Sequence, residues 1–293
     1  MKNEMIPNEA RVENLNFKQT LRNDEVYGKN QVIGLSELTG MPVRKGLENA
    51  IVCEGQVVNV VSGSYGHLPN DKYFPEVEVK LIDEGIGYVT RSINRDNRSF
   101  AVDYILDDEN LVVKVKNGLD RLRPMLRFTN SYDGSCKTSG YFGFFREVCS
   151  NGLHVAHSKI GFSVKHRGNI AQLVLPEIRE LVTKFMDNEF YSIHRKFEVL
   201  AERPIINLDE FVKVTAEHFR LFQFECSEKN PSPSLNARLV LDTIRKEAAM
   251  LNTAPNLWHG YNAFNSVLHT KLKKTFGVQK NLDEKIFEYL LAQ

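Results

Sequence analysis

Two segments of this chain concentrate side chains capable of chemistry. The first, Phe128-Thr-Asn-Ser-Tyr-Asp-Gly-Ser135, holds Asn130, Ser131 and Asp133 ahead of Gly134. The second, Phe144-Phe-Arg-Glu-Val-Cys-Ser-Asn-Gly152, holds Arg146, Cys149, Asn151 and Gly152. Short polar side chains such as Asn130, Ser131 and Asp133 bond nearby backbone, so a self-satisfied turn accounts for them as well as a ligand site does. Asn151-Gly152 is the dipeptide of a tight hairpin turn. Arg146 interrupts an apolar strand and therefore requires a buried acceptor, for which Asp133 is the candidate. His154 and His157, near Cys149, would offer a metal site or a thiol with its base, but strand and loop geometry does not bring the pair to one side. The Gly63 to Gly66 stretch lacks the lysine and serine of a phosphate loop. No G-x-S-x-G elbow and no recognisable frame of paired carboxylates is present. The expectation is a protein with no catalytic residues, no metal and no cofactor.

Local charge supplies a second kind of chemistry. Lys114, Lys116, Arg121, Arg123 and Arg127 crowd one stretch against Asp120, and Lys159, Lys165, His166 and Arg167 follow the second motif. On one sheet edge or face, the two clusters would form a groove that tracks a phosphate backbone. Tyr141, Phe142, Phe144 and Phe145 fall between them, and strand alternation would give one pair to stacking and the other to the core. The plainer reading makes the cations a solvated face and every aromatic core.

The Thr129–Ser135 and Arg146–Gly152 segments together resemble the hallmark of a family often called domain of unknown function 932, found in phages, prophages and plasmids. Val60-Val-Ser-Gly-Ser-Tyr65, Val79-Lys-Leu-Ile-Asp-Glu-Gly85 and Trp258-His-Gly-Tyr-Asn-Ala263 are similar to its flanking segments, so the likeness runs from about residue 55 to 270. Tyr132 stands where a histidine is common. The resemblance implies a gene of a mobile element and carries over no activity. Trp258 and Tyr261, with Phe264 and Leu268, fit a buried helical stripe, and Asn262 beside them caps or ties a loop.

These residues need elements to position them. The chain has 293 residues, with 42% apolar, 26% charged and 10% aromatic, which is an ordinary globular composition long enough for one large or two modest domains. Lys plus Arg (38) nearly cancel Asp plus Glu (37), so any polyanion would meet a local patch rather than a global field. No run approaches the roughly 18 apolar residues of a membrane span. The opening Met-Lys-Asn-Glu-Met-Ile-Pro lacks an apolar signal core, so the expected place is the cytoplasm of a bacterial host. Cys53, Cys136, Cys149 and Cys226 form no C-x-x-C pair and read as small buried apolar side chains.

The apolar pattern changes near residue 168. Before it, Ile51–Val61 reads as one long strand or a bulged pair, and Val77, Val79 and Leu81 alternate with charges as a strand does. Phe100–Leu106 with Leu111–Val115 predicts a hairpin across Asp107–Asn110, and Leu126–Asn130 with Tyr141–Phe145 a second pair. After it, Ile170, Leu173, Val174, Ile178, Leu181, Val182 and Phe185 trace a buried helix face in which Pro176 is either a kink or the true first turn. Asn207 with Glu210 predicts a capped helix running to about Phe224, and Asn281 with Glu284 a capped last helix. Helices are also expected over roughly Leu235–Leu251 and Pro255–Phe276, with Pro231-Ser-Pro233 as a loop. The reading is an α+β chain: an N-terminal segment over 1–50, a β-rich antiparallel core over 51–168, and a helical region over 169–293.

The function expected from these features is a non-enzymatic accessory protein of a mobile element. It would form a homo-oligomer and bind or anneal single-stranded DNA, in a β-then-α order like that of ring-forming annealing proteins. The alternative is a counter-defence protein that blocks a host immune nuclease through aromatic and arginine anchors. Neither reading involves a membrane.

Overall fold

The computed structural model, which describes residues 28–116, 118, 120–147, 151–153, 161–186, 191–227 and 230–293, shows where the two periodicities begin and end. The first part runs β1 (Asn30–Gly34), α1 (Leu35–Thr39), β2 (Asn49–Cys53), β3 (Gln56–Val61), α2 (Asn70–Asp83), β4 (Tyr88–Arg95) and β5 (Ser99–Leu106). A 3-10 turn over Glu109–Leu111 leads into β6 (Val113–Val115), β7 (Asp120–Ser131), β8 (Thr138–Arg146), β9 (Asn151–Leu153) and β10 (Gly161–Val164). The helical part comprises α3 (Ile170–Met186), α4 (Tyr191–Glu202), α5 (Leu208–His218), α6 (Leu235–Met250), α7 (Leu257–Thr270) and α8 (Phe276–Ala292). The strands β11 (Glu225–Ser227) and β12 (Asn230–Pro233) lie between α5 and α6. This is an α+β chain, with an antiparallel β-rich half before a helical half. No helix among the described residues is long and apolar enough to cross a membrane.

The contacts group into two units, each assembled from three stretches of chain: Met1–Leu111, Arg123–Phe142 and Lys159–Asp187 in the first, Val112–Leu122, Gly143–Ser158 and Asn188–Gln293 in the second.

In the first unit, β1, β2 and β3 form a three-stranded sheet in that order. The run at 51–61 divides because Glu54 and Gly55 both take positive φ (49° and 75°), the geometry of a two-residue hairpin turn. A second sheet runs in the order β10-β8-β7-β5-β4. The expected strand at 77–81 is instead part of α2. Tyr73, Phe74, Val77 and Leu81 are buried while Val79 is 54% exposed, which is helical spacing once the two upstream aromatics are counted. Tyr104 and Phe128 meet the α2 aromatics: Tyr73 and Phe128 lie edge to face at 6.2 Å, and the Tyr104 hydroxyl donates to Phe74 O at 3.3 Å. Ile170, Val174, Ile178, Leu181 and Val182 form the buried face of α3, but Leu173 is 53% exposed.

The expected hairpin of Phe100–Leu106 with Leu111–Val115 does not form. The acidic connection closes as a 3-10 turn, with Asp108 Oδ1 accepting from Asn110 N at 2.8 Å. That turn sends β5 to pair with β4 and β7, and β6 to pair with Asp120–Leu122 of β7.

In the second unit α7 is the central element. Trp258, Tyr261, Phe264 and Leu268 are buried as the stripe predicts, together with polar His259, Asn262 and Asn265. The helix packs against α4, α6 and α8. The Asn207 cap is present, its Oδ1 accepting from Glu210 N at 3.2 Å, but the helix stops at His218. The last helix starts earlier than expected: Thr275 is its cap, accepting from Val278 N, and Asn281 and Glu284 lie inside it. Pro231–Pro233 belongs to β12 rather than a loop, and Asn151-Gly152 belongs to β9 rather than a turn.

Gly140 sits where the first unit leaves no room for a side chain. A Cβ there would lie 2.5 Å from a ring atom of Phe162 and 2.7 Å from one of Phe128. Gly140→Ala is expected to cost about 1–3 kcal/mol of stability, read as a lower urea midpoint by circular dichroism. An unchanged midpoint would show that the two rings part without strain.

Candidate functional site

The Asn130 motif closes the end of the β7–β8 hairpin in the first unit. Asn130 is fully buried, and its Nδ2 donates to Leu68 O and to Asn70 Oδ1, each at 2.8 Å. Its Oδ1 accepts from Thr138 Oγ1 at 3.0 Å. Both amide protons and the carbonyl oxygen thus tie the start of α2 to the hairpin. Ser131 Oγ donates to Cys136 O at 2.7 Å and accepts from Cys136 N at 3.2 Å. Asp133 Oδ1 accepts from Ser135 N at 2.9 Å around Gly134, whose φ of +73° is left-handed. Tyr132 accepts from Asn70 N at 3.0 Å through its hydroxyl. The motif is a lock between α2 and the hairpin.

Two imidazoles flank this lock. His166 stacks on Tyr65 (5.2 Å, 5° between planes) and bonds Gly66 O through Nδ1 at 3.1 Å. His67 bonds Asn30 Oδ1 through Nε2 at 2.8 Å. Burial, then the neighbouring His166, lowers His67 to about 4, and burial lowers His166 as well. Burial pushes the Cys136 and Cys53 thiols up to about 11, which leaves both without thiolate character near neutrality. Cys226 is exposed rather than buried. Cys149, His154, His157 and Lys159 lie outside the described residues.

The second motif is anchored in the second unit, and its arginine does not pair with Asp133. In an antiparallel hairpin the end of β8 returns beside the start of β7, so the acceptor is Asp120. Arg146 Nε donates to both Asp120 oxygens at 2.9 and 2.8 Å, and Nη1 lies 2.7 Å from Glu247 Oε2 on α6. Trp258 Nε1 donates to Asp120 Oδ2 at 2.7 Å, and the Arg146 guanidinium sits 5.7 Å from the centre of the Trp258 ring. Asn262 Nδ2 donates to Trp258 O one turn back at 2.8 Å. Burial, then Arg146 nearby, lowers His259 to about 4. Asn151 and Gly152 pair with Arg146 and Phe145 along the backbone.

Several of the remaining basic residues are buried or paired rather than open to a phosphate backbone. Arg123 and Arg127 are each only 2% exposed. Arg123 is engaged by Asp107 and Glu109, and Arg127 by Asp103. Arg121 pairs with Glu147 at 3.0 Å, and Lys116 Nζ donates to Ala201 O at 3.2 Å. Lys114, Lys165 and Arg167 are exposed, the first in the second unit and the other two in the first. Tyr141, Phe142, Phe144 and Phe145 are all core, because β8 is covered on both faces, and they offer no stacking surface.

A different cationic row appears on the face of the first unit's sheet opposite α2. Strand register aligns Arg91 of β4, Asp103 of β5 and Arg127 of β7. Arg91 Nη2 and Arg127 Nη2 reach Asp103 Oδ2 at 2.8 and 2.6 Å. Burial alone would raise the Asp103 carboxyl, but Arg127 and then Arg91 hold it below its usual range. Arg95, four residues further along β4 on the same face, is half-buried, and its pKa is lowered by burial and by Arg127. The Thr129 and Ser139 hydroxyls bond one another on this face at 2.7 Å. Sequence reading passed over Arg91 and Arg95 because β4 has no apolar alternation. Their spacing of four, which keeps both on one side of a strand, was the available signal.

The family model described as "Domain of unknown function (DUF932)" matches residues 57–284, most of the chain. No curated protein and no solved structure matches it.

The second-unit network makes two outcomes measurable through Trp258, the chain's single tryptophan. Arg146→Ala leaves Asp120 and Glu247 buried without their cation and is expected to cost about 3–5 kcal/mol in urea unfolding followed by tryptophan fluorescence. Because His259 titrates near 4 when folded against an ordinary 6.5, the unfolded chain takes up a proton that the folded chain does not. Stability should therefore fall as pH drops from about 6.5 towards 4, and His259→Gln should make that slope shallower, with His67 and His166 supplying what remains. An equal slope in the variant would remove His259 as its cause.

Proposed function

The chain belongs to the DUF932 family, and from that premise we propose that it is a non-enzymatic, oligomeric accessory protein of a phage or other mobile element, acting on single-stranded DNA in the bacterial cytoplasm. The observation that supports this reading is the arginine row of the first unit. Arg91 and Arg95 are partly exposed and lie about 13 Å apart along β4. Arg127, fixed by Asp103, adds to the local positive potential beside them. Guanidinium groups on a rigid sheet suit backbone phosphates, and binding through phosphate contacts tolerates any base sequence. With the β8 aromatics in the core, the reading rests on charge rather than on stacking.

One feature favours the second reading, a protein that blocks a host defence complex. Ile206 is 94% exposed and Val214 42% exposed beside a cleft of about 280 Å³ in the second unit. Exposed apolar side chains clustered at a cleft are the raw material of a protein interface.

Anisotropy of labelled single-stranded and duplex DNA across a salt series, with mass photometry on the same samples, tests the first reading. Single-strand binding should weaken with salt. In the Arg91→Gln/Arg95→Gln double variant it should fall about tenfold or more, with the salt slope shallower by about 1.4. Absence of binding at micromolar protein would overturn the reading. Co-purification with a defence complex, lost on Ile206→Asp, would favour the second instead.

A further inference from the structure

A cavity of about 510 Å³ opens where α5 ends in the second unit, lined among others by Lys213, Glu217, Arg220, Phe222, Phe224 and Glu225. Its construction begins with the helix terminus. Leu221 N donates to Ala216 O at 2.9 Å and Arg220 N to Glu217 O at 3.1 Å, the paired closure in which the residue after the cap is left-handed and normally glycine. Here that residue is Arg220, with φ of +50°. An arginine in this place costs backbone stability that glycine would not, and it sets an exposed guanidinium in the cavity wall.

Three kinds of recognition chemistry surround the space. Arg220 supplies a planar fork of donors for a phosphate or carboxylate, with the Lys213 ammonium as a second cation on α5. Phe222 and Phe224 supply aromatic surface for a flat ring, and the Phe222 ring is held nearly parallel to Phe264 (6.1 Å between centres, 17°). Glu217 and Glu225 supply acceptors for N–H groups, and Glu225 lies 3.4 Å from Lys213, which fixes both. A simple inorganic anion would use the cations alone and meet the carboxylates unfavourably. A ligand that uses all three carries an anionic group, a flat ring and ring amino or imino hydrogens, and the volume lies in the range of small-molecule sites.

The geometry points to a binding site for a nucleoside monophosphate: phosphate on Arg220, base against Phe222, and base N–H groups on Glu217. The site is built entirely from residues of the second unit, and the inference does not depend on strand binding.

Calorimetric titration of the full chain with GMP, AMP and inorganic phosphate tests it, alongside Arg220→Gly and Phe222→Leu. Glycine suits the left-handed backbone, so Arg220→Gly should hold or raise the melting temperature by about 1–3 °C. It should also weaken nucleotide binding about tenfold or more. Phe222→Leu should weaken nucleotide binding as well. Titration with a short oligonucleotide separates a free nucleotide from one carried in a strand. The inference is overturned if neither nucleotide binds at millimolar concentration. It is also overturned if phosphate binds as tightly as the nucleotides, if only the oligonucleotide binds, or if the Arg220→Gly protein binds unchanged.

Discussion

A single buried carboxylate, Asp120, holds the second unit in register. Removing an ion from water costs several kcal/mol, which a protein recovers only when every lone pair finds a donor. Asp120 meets that condition with Arg146 on both oxygens and the Trp258 indole on one of them. Arg146 is completed in turn by Glu247. A strand start, a strand end and two helices therefore have one arrangement in which no charge is stranded, and small displacements of any of them leave an ion without its partner. Such a network selects one packing among alternatives more than it adds to stability.

The first unit uses the same device for a different result. Asp103 sits between Arg91 and Arg127 in consecutive strands, but Arg91 remains partly in water. The row is thus fixed at its centre and open at one side. Asn130, also in the first unit, does with neutral hydrogen bonds what Asp120 does with charge in the second. The segments that resemble the family's hallmark are in both units the ones that fasten distant pieces of chain, and the candidate partner surfaces use other residues.

How much of this was legible depended on whether a signal was local. The Asn207 cap, most of the buried face of α3 and the Trp258 stripe follow from spacing within one element, the β7–β8 pair from two apolar runs joined by a turn, and the structure has them. The segment at 77–81 misled because five residues fit both periods, and the deciding aromatics, Tyr73 and Phe74, stood just outside it. Asn281 misled because an Asn followed by Glu three residues on also occurs inside helices, while Thr275 supplied the cap. The need of Arg146 for a buried acceptor was readable. Its choice of Asp120 was not, since that follows from hairpin register, and Glu247 is 101 residues away in sequence with only tertiary packing to bring it near. The same limit hid the fate of Arg127, whose partner Asp103 is set by pairing across β5.

The Trp258–Asp120 bond joins residues 138 apart in sequence. Long-range closures of this kind form late, after the hairpins and helices on either side exist. On the ribosome, Asp120 and Arg146 emerge long before Glu247 and Trp258, so during synthesis the arginine has one carboxylate and no indole above it. The second unit consequently completes itself only after α7 has been made. A nascent chain halted before α7 would hold its charged pair in water, awaiting the helix that seals it.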